Sequence, residues 1–289
     1  MQRKLRVGAA MVVQNDSETI ERSLASFYAK VERIVVSTDL KRGWSGESIT
    51  PDDTIERIRA FDRDNKIEII VGDYCKFSEP MKNDTYQRQL TCNRLNEISP
   101  NLDWIVQIDA DEEFLNFDTV INRLSSLPPW TQSVSWRWIQ LFNHLPDGRF
   151  LTIVHPNGIP ILEQFAFAHR PDATLDACRF PKLPFSAFLP KSPRIRRWSR
   201  LEFIPRLDMN PGDAALHFSF AKSETRILEK LRTWSHSKDF DIERFFELWM
   251  RSKTDWESIT DFHPVFPIAW PRLRAFSENE LRTGVFEST

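Results

Sequence analysis

The stretch of sequence that decides the fold is Asp103-Trp104-Ile105-Val106-Gln107-Ile108-Asp109-Ala110-Asp111-Glu112-Glu113-Phe114. Residues 104–108 form a largely apolar run of strand length, and the run ends abruptly in four carboxylates. Packing does not require acids at the tip of a buried strand. In an open α/β sheet, ligands bind at the carboxyl ends of the strands, where the strand order changes. The acidic tip is therefore the candidate ligand site.

Asp109 and Asp111 are the candidate metal ligands within this tip. Two carboxylates spaced i, i+2 across a bend can converge on Mg²⁺ or Mn²⁺, which prefer oxygen ligands and keep positions for phosphate oxygens. Two simpler explanations stay open. Either aspartate could cap the helix that begins near Asn116, or the acids could form a solvated loop.

Composition limits the class of protein. The chain has 289 residues, a net charge of -2, ten Trp and 22 Phe, and its pI of about 6.3 argues against a general nucleic-acid binder. Cys75, Cys92 and Cys178 are odd in number and widely spaced, which favours a reducing compartment and suggests no zinc site.

The N-terminal segment imitates a signal peptide, with basic residues ahead of an apolar run at 7–13. The run is short and leads directly into an amphipathic segment, so a first strand is the better interpretation. No stretch approaches the length of a membrane span. We expect a cytoplasmic protein, at most peripheral at the inner membrane surface.

The first 111 residues alternate between strand and helix patterns. Strands are predicted at 5–13, 31–36, 67–71 and 104–108, and helices from Asn15 with Glu18 as its capping partner, from Thr50 to about Asp62, and from Asp84 to Ile98. Strands that alternate with helices predict an α/β fold with a mainly parallel sheet flanked by helices.

The second half has a different pattern. Val134, Trp136 and Trp138 alternate in a strand, and the turn at 146–148 leads to another strand at 150–154, which predicts a hairpin. A short strand at 216–220 holds His217. Ser223 is the predicted N-cap of an amphipathic helix, and a second helix covers 242–250.

Between these parts lies a proline-rich segment from Pro181 to Pro211. It carries a cluster of basic residues, Lys191, Arg194, Arg196, Arg197 and Arg200. The cluster is either a solvated surface loop or a clamp for a phosphorylated ligand or an anionic acceptor.

Several motifs, taken in order, resemble the family 2 glycosyltransferases with a GT-A fold. They are Val12-Val13-Gln14-Asn15-Asp16, Ile20-Glu21-Arg22-Ser23-Leu24, Arg33-Ile34-Val35-Val36, Gln87-Arg88 and the run from Asp103 to Glu112. The similarity covers roughly residues 5–115. A more diffuse likeness to a bacterial subgroup continues through 216–220, Lys230 and Ser235-His236.

The resemblance implies a domain organisation and a reaction. Residues 1–220 would form the catalytic domain, with a nucleotide-sugar-binding half at 1–115 and an acceptor-side half at 116–220. Residues 221–289 would form a helical extension packed on it. The reaction would be metal-dependent transfer of a sugar, with inversion, from a nucleotide sugar. A UDP-sugar is the favoured donor, and the acceptor would be an anionic glycan or a lipid-linked molecule.

The resemblance also implies roles for single residues. The turn with Val13, Asn15 and Asp16 would line the nucleoside pocket, Asp39 would lie near the base or ribose, and Arg88 would lie close to the donor. Asp109 would approach the ribose or a metal-bound water, and Asp111 would bind the Mn²⁺ or Mg²⁺ that bridges the diphosphate. His217 would be either a late ligand of that metal or a core histidine. The family's acidic pair after the second strand is replaced here by Ser37-Thr38-Asp39, which leaves the base open.

An inverting transfer also needs a carboxylate that takes the proton of the acceptor hydroxyl. Glu163 is the first candidate, followed by Asp208 and Asp213. Two other functions stay open. A nucleotidyltransferase usually has a Gly-rich phosphate loop after the first strand, and Gln14-Asn15-Asp16 provides none. A protein that binds glycan or nucleotide without turnover is the other alternative.

Overall fold

A computed structural model describes residues 4–182 and 210–286. In these ranges the strands are β1 Val7–Val12, β2 Ile34–Thr38, β3 Ile67–Val71, β4 Trp104–Asp109, β5 Glu112–Phe114, β6 Ser133–His144, β7 Phe150–Val154, β8 Leu162–His169, β9 Leu175–Ala177, β10 Phe180–Pro181, β11 Ala215–His217 and β12 Arg272–Phe276. The helices are α1 Ile20–Phe27, α2 Thr54–Phe61, α3 Pro80–Ile98, α4 Phe117–Ser125, α5 Glu224–Thr233, α6 Ile242–Asp255 and α7 Glu278–Thr283.

One large sheet organises the chain, in the order β12-β7-β6-β8-β4-β1-β2-β3. The strands β3, β2, β1 and β4 are parallel, whereas β8 joins β4 antiparallel, and β6, β7 and β12 continue antiparallel. β11 lies between β6 and the short strand β5. Helices α1 and α3 pack against this sheet. The predicted α/β fold is confirmed, with its parallel part in the N-terminal half.

The parallel part follows from apolar runs that are buried on both faces, as such strands require. Every residue of β1 and β2 is buried, and β4 is buried up to Ile108. β3 has the predicted boundaries and is only half-buried, because it is the edge strand of this side of the sheet.

Two predicted helix starts are wrong. α1 begins at Ile20 and not after Asn15, because Asn15 has a left-handed backbone with φ of 53°. Its side chain donates to the Thr50 carbonyl at 2.9 Å and accepts from the Asp52 amide at 3.1 Å. The loop before α2 is thus joined to the loop after β1, and α2 begins at Thr54 instead of Thr50.

The start of α3 also differs from its prediction. This helix begins at Pro80, four residues before Asp84, and the position suits proline at the start of a helix. Asn116 is the N-cap of α4, and its side chain accepts from the Thr119 amide, so neither Asp109 nor Asp111 caps that helix. Ser223 precedes α5 as predicted, but its hydroxyl donates to Glu18 at 2.6 Å instead of capping the helix.

The C-terminal segment completes the sheet as well as adding helices. The sequence predicted the two helices α5 and α6, whereas β12 was not foreseen and pairs with β7 in register. An aromatic core joins this segment to β6, with Phe142, Phe220, Phe245, Trp249 and Trp270 all buried. Much of the chain's high aromatic content therefore lies in this cluster, which is the second core of the protein beside the core around the parallel strands.

Candidate functional site

The carboxyl ends of β1, β2 and β4 lie side by side and form the rim of the sheet at the point where its strand order changes. Val12, at the end of β1, is paired with Ser37 of β2 and with Asp109 of β4. The sequence predicted ligand binding at such a rim. The geometry brings Asp16, Asp39, Asp109 and Asp111 to the loops that leave these strands.

Asp109 is held between two arginines. Its Oδ1 accepts from Arg88 Nη1 at 2.8 Å, its Oδ2 accepts from Arg88 Nη2 at 3.1 Å, and Arg179 contacts the same Oδ2. Burial alone would raise the pKa of Asp109, but Arg179 and Arg88 outweigh it and hold that pKa below its ordinary value. Arg88 is thus a partner of Asp109 at the rim, and its proximity to a donor stays a prediction.

Asp111 is held by two lysines. Its Oδ2 lies 2.6 Å from Lys230 Nζ and 3.2 Å from Lys222 Nζ. Lys222 Nζ also contacts Asp16 Oδ1 at 2.6 Å. Burial acts to raise the pKa of Asp111, yet the two ammonium charges lower it well below its ordinary value. In contrast, burial dominates at Asp16 and raises its pKa.

The two glutamates of the tip stabilise the fold around the site. Glu112 is fully buried, and its carboxylate accepts from Arg179 at 2.7 and 3.2 Å and from the Asp109 amide at 3.0 Å. Glu113 pairs with Arg22 at 2.7 Å and with Arg282 of α7 at 2.6 Å. Each acid of the tip therefore has at least one cationic partner.

His217 lies beside Asp111, with Nε2 at 3.5 Å from Asp111 Oδ1. Its Nδ1 lies 2.8 Å from Gln140 Oε1, an acceptor, so Nδ1 is the donor of that hydrogen bond. The Trp138 ring packs against the imidazole with a centroid distance of 4.3 Å. His217 therefore lies at the rim beside Asp111 and is packed against Trp138.

The predicted metal set is not assembled as a metal site. Both oxygens of Asp109 face guanidinium groups, and Oδ2 of Asp111 faces two ammonium groups, so these three oxygens are already paired with cations. In residues 4–182 and 210–286, no three His, Cys, Asp or Glu side chains form a group that could hold a metal ion. The donor set of Asp109, Asp111 and His217 therefore does not fit Mn²⁺ or Mg²⁺, because lysines and arginines occupy the positions beside the carboxylates.

The remaining residues predicted to contact the donor make hydrogen bonds that hold the loops of the rim in place. Val13 is buried, and its amide donates to the Ser37 carbonyl at 3.0 Å. Asp39 accepts from the amides of Lys41, Arg42 and Tyr74, so its carboxylate shapes the loop after β2. Asn15 Nδ2 donates to Glu229 of α5 at 2.5 Å. These residues fix the walls of the rim.

The three candidate bases have different positions. Glu163 on β8 accepts from the indoles of Trp138 at 2.9 Å and Trp270 at 2.8 Å, and Trp138 in turn packs on His217. Asp213 accepts from Asn116 and Thr119 near the start of α4. Asp213 lies just before the N-terminal end of β11, where Ala215 pairs with Phe114. His217, which lies beside Asp111, is at the other end of that strand, so Asp213 is not brought to Asp111. Asp208 and the basic cluster 191–200 lie outside the described residues.

The sequence reasoning missed Lys222 and Arg179 as members of the site. Both are buried cations, with 3% and 7% of the side chain exposed. A lysine or arginine is almost never fully buried unless it is paired with an acid. One signal existed for Lys222, which lies just beyond the predicted strand of His217 and one residue before the predicted N-cap Ser223. No comparable sequence signal marked Arg179.

Comparisons with known proteins give a fold likeness only. No family model and no curated protein matches the sequence. A solved structure of CMP:2-keto-3-deoxy-manno-octonic acid synthetase in complex with CTP is similar, with 13% identity and a TM-score of 0.36. The alignment covers 79% of this chain and 96% of that chain. Such a similarity carries no conclusion about substrate or reaction. Within the described residues, no helix is long and apolar enough to cross a bilayer.

Proposed function

We propose that this chain is a glycosyltransferase that takes a sugar from a nucleotide-sugar donor and binds the donor's diphosphate at the rim of the sheet. The observation that carries the proposal is the cluster of Asp109, Asp111, Lys222 and Lys230 at the change of strand order. Buried ion pairs contribute little net stability compared with apolar packing. Strongly shifted pKa values in a group of charges at a ligand-binding edge are typical of functional sites.

The proposed transfer breaks the bond between the anomeric carbon and the diphosphate oxygen. The electron pair of that bond goes to the leaving nucleoside diphosphate, whose added negative charge is stabilised by fixed cations at the rim. Lys230 is the cation proposed for this role, which is supported by the 23% exposure of its side chain and by the position of its Nζ 2.6 Å from Asp111 Oδ2. The acceptor oxygen forms the new bond with inversion.

Glu163 is the proposed base for the acceptor hydroxyl. Each carboxylate oxygen accepts one indole N–H, from Trp138 and Trp270, and each retains a further lone pair. The Trp138 ring lies between this carboxylate and His217, which touches Asp111. The base and the diphosphate site would thus share one wall. A UDP-sugar is the first donor to test, and an anionic glycan or a lipid-linked molecule is the proposed acceptor.

The experiment is to measure release of nucleoside diphosphate from a panel of nucleotide sugars, with water or added glycans as acceptor. We expect release from at least one donor. Glu163→Gln should still bind nucleoside diphosphate but lose about 10²-fold or more in rate. Glu56→Gln, on the exposed side of α2, is the matched control and should keep the wild-type rate.

The outcomes separate the three functions. Release of pyrophosphate from a nucleoside triphosphate, with no release from nucleotide sugars, would indicate the nucleotidyltransferase alternative. Binding of nucleotide or glycan without any product would indicate the non-catalytic alternative. An undiminished rate in Glu163→Gln would exclude Glu163 as the base.

A further inference from the structure

We infer that Lys222 and Lys230 take the place of a divalent cation, so that the nucleoside diphosphate binds to this chain without a metal ion. The inference rests on the proposed function and deepens it. Both ammonium groups contact the same carboxylate oxygen, Asp111 Oδ2, at 3.2 and 2.6 Å. A metal at the rim would bind through this carboxylate, which was the predicted ligand.

The charges of the two lysines match those of the ion that they would replace. Two ammonium groups carry the same total charge as Mg²⁺ or Mn²⁺. A magnesium ion needs carboxylate oxygens at about 2.0–2.1 Å and near-octahedral geometry. Lys230 Nζ already lies 2.6 Å from Asp111 Oδ2, so an ion could bind that oxygen only if the ammonium group moved away.

The two lysines have different exposures and therefore different roles. Lys222 has only 3% of its side chain exposed, and it links Asp16 to Asp111. It is a positioning residue that holds both carboxylates in place. Lys230 is 23% exposed, and two of its three N–H groups are used by Asp111 and Ser219 Oγ, the latter at 2.7 Å. Among the described contacts, its third N–H is left for a phosphate oxygen.

Helix α5 fixes the position of Lys230. Ile227 and Leu231 of this helix are fully buried in the second core, so the helix has little freedom to turn. Asn15, in the loop after β1, also holds the helix through Glu229 at 2.5 Å. The ammonium group is therefore placed before the ligand arrives, and pre-organised charges stabilise a leaving phosphate without reorganisation.

The other predicted metal ligand is also occupied. Arg88 contacts both oxygens of Asp109, and Arg179 contacts one of them. Asp109 and Asp111 therefore belong to separate groups of ion pairs, one with arginines and one with lysines. Because each aspartate has its own cationic partners, Asp109 and Asp111 do not need a metal ion between them. This is the second argument for binding without a metal.

Calorimetric titration tests the inference, with UDP and GDP as probes and the full chain in either EDTA or excess MnCl₂. We expect at least one probe to bind with a Kd that differs by less than about twofold between the two conditions. Lys230→Met should weaken that binding by about tenfold or more, and Mn²⁺ should not restore it. Lys30→Met is the matched control. Lys30 follows the C-terminal end of α1, away from the rim, and pairs with Asp118. The Kd of this variant should equal that of the wild type.

Electron paramagnetic resonance of Mn²⁺ gives a readout that needs no variant. Addition of wild-type protein with UDP or GDP should leave the signal of free Mn²⁺ unchanged, relative to the nucleotide alone. A loss of that signal, or binding that requires Mn²⁺, would overturn the inference and leave the proposed function intact. Absence of binding for both probes with and without Mn²⁺, together with no release from any nucleotide sugar of the panel, would overturn both.

Discussion

Asp109 retains its negative charge in a partly buried setting because two buried arginines, Arg88 and Arg179, surround its carboxylate. Removing one partner from a buried ion pair is strongly destabilising, since the remaining charge loses its compensation. The same reasoning applies to Asp111. Its contacts with Lys222, Lys230 and His217 make Asp111 a structural residue as well.

Asp109→Asn should destabilise the protein by an amount that depends on pH. The folded pKa of Asp109 lies below its ordinary value, because the two arginines outweigh the opposing effect of burial. The carboxylate therefore contributes stability above its unfolded pKa of about 3.9, and this contribution is lost as the pH falls toward the folded pKa. The difference in unfolding free energy between wild type and variant should shrink by about 1.4 kcal/mol per pH unit below about pH 4.

Urea titrations at a series of pH values measure this difference. It should be constant between about pH 5 and about pH 7, where the carboxyl is ionised in both folded and unfolded chains. A difference that stays constant down to about pH 3 would contradict the ion-pair assignment of Asp109.

Among the secondary-structure elements, α5 and the loop 43–46 position the rim jointly. The Ser45 amide donates to the Thr233 carbonyl at the end of α5, at 3.2 Å. Gly43 packs so closely that a Cβ there would lie 2.4 Å from Thr233 Cβ and 2.7 Å from the Thr233 carbonyl oxygen. The loop after β2 and the helix that carries Lys230 are therefore in direct contact.

Gly43→Ala should push the loop away from α5 and destabilise the protein by about 1–3 kcal/mol, the usual effect of overpacking. The main-chain atoms of Thr233 cannot move without moving the helix. Chemical denaturation measures the loss, and Ser45→Ala, which keeps the main-chain contact of the same loop, is the control. Equal stability of Gly43→Ala and wild type would show that the contact is not this close.

The molecule as a whole is held together by an aromatic core between the sheet and the C-terminal segment. Trp249 of α6 is fully buried, and its Nε1 donates to the carbonyls of Phe142 and Phe220, both at 2.9 Å. Asn143 returns a hydrogen bond to the Trp249 carbonyl at 3.1 Å. These contacts join β6, the segment after β11 and α6, so residues 221–286 belong to the same packed unit as the sheet.

Trp249→Phe should shift the whole unfolding transition and not only that of the C-terminal helices. The substitution removes a donor from two buried carbonyls and leaves unfilled volume, which together should destabilise by about 2–4 kcal/mol. Circular dichroism and intrinsic fluorescence should report coincident transitions in wild type and variant. Trp130→Phe, at a site that is 77% exposed, is the control and should be neutral. Separate transitions for the two probes would indicate an independently folding extension.

The sequence by itself determined the parallel half of the sheet and the place of the candidate site. Apolar runs such as 7–13 and 104–108 have few stable arrangements other than buried strands, and four acids after one of them mark the edge at which such sheets bind ligands. Helix starts were predicted less well, because Asn15 uses its side chain for a contact with another loop instead of a cap.

Only the tertiary structure decided which cation meets which acid. Lys222 reaches Asp16 across 206 residues of sequence, and Lys230 reaches Asp111 across 119. Local patterns hold no information about such pairs, since an isolated lysine on a helix is usually a solvated residue. The physical reason is that a buried charge must be compensated by whatever the fold brings within contact distance. That compensation changed the interpretation of the rim from a metal site to a cluster of ion pairs.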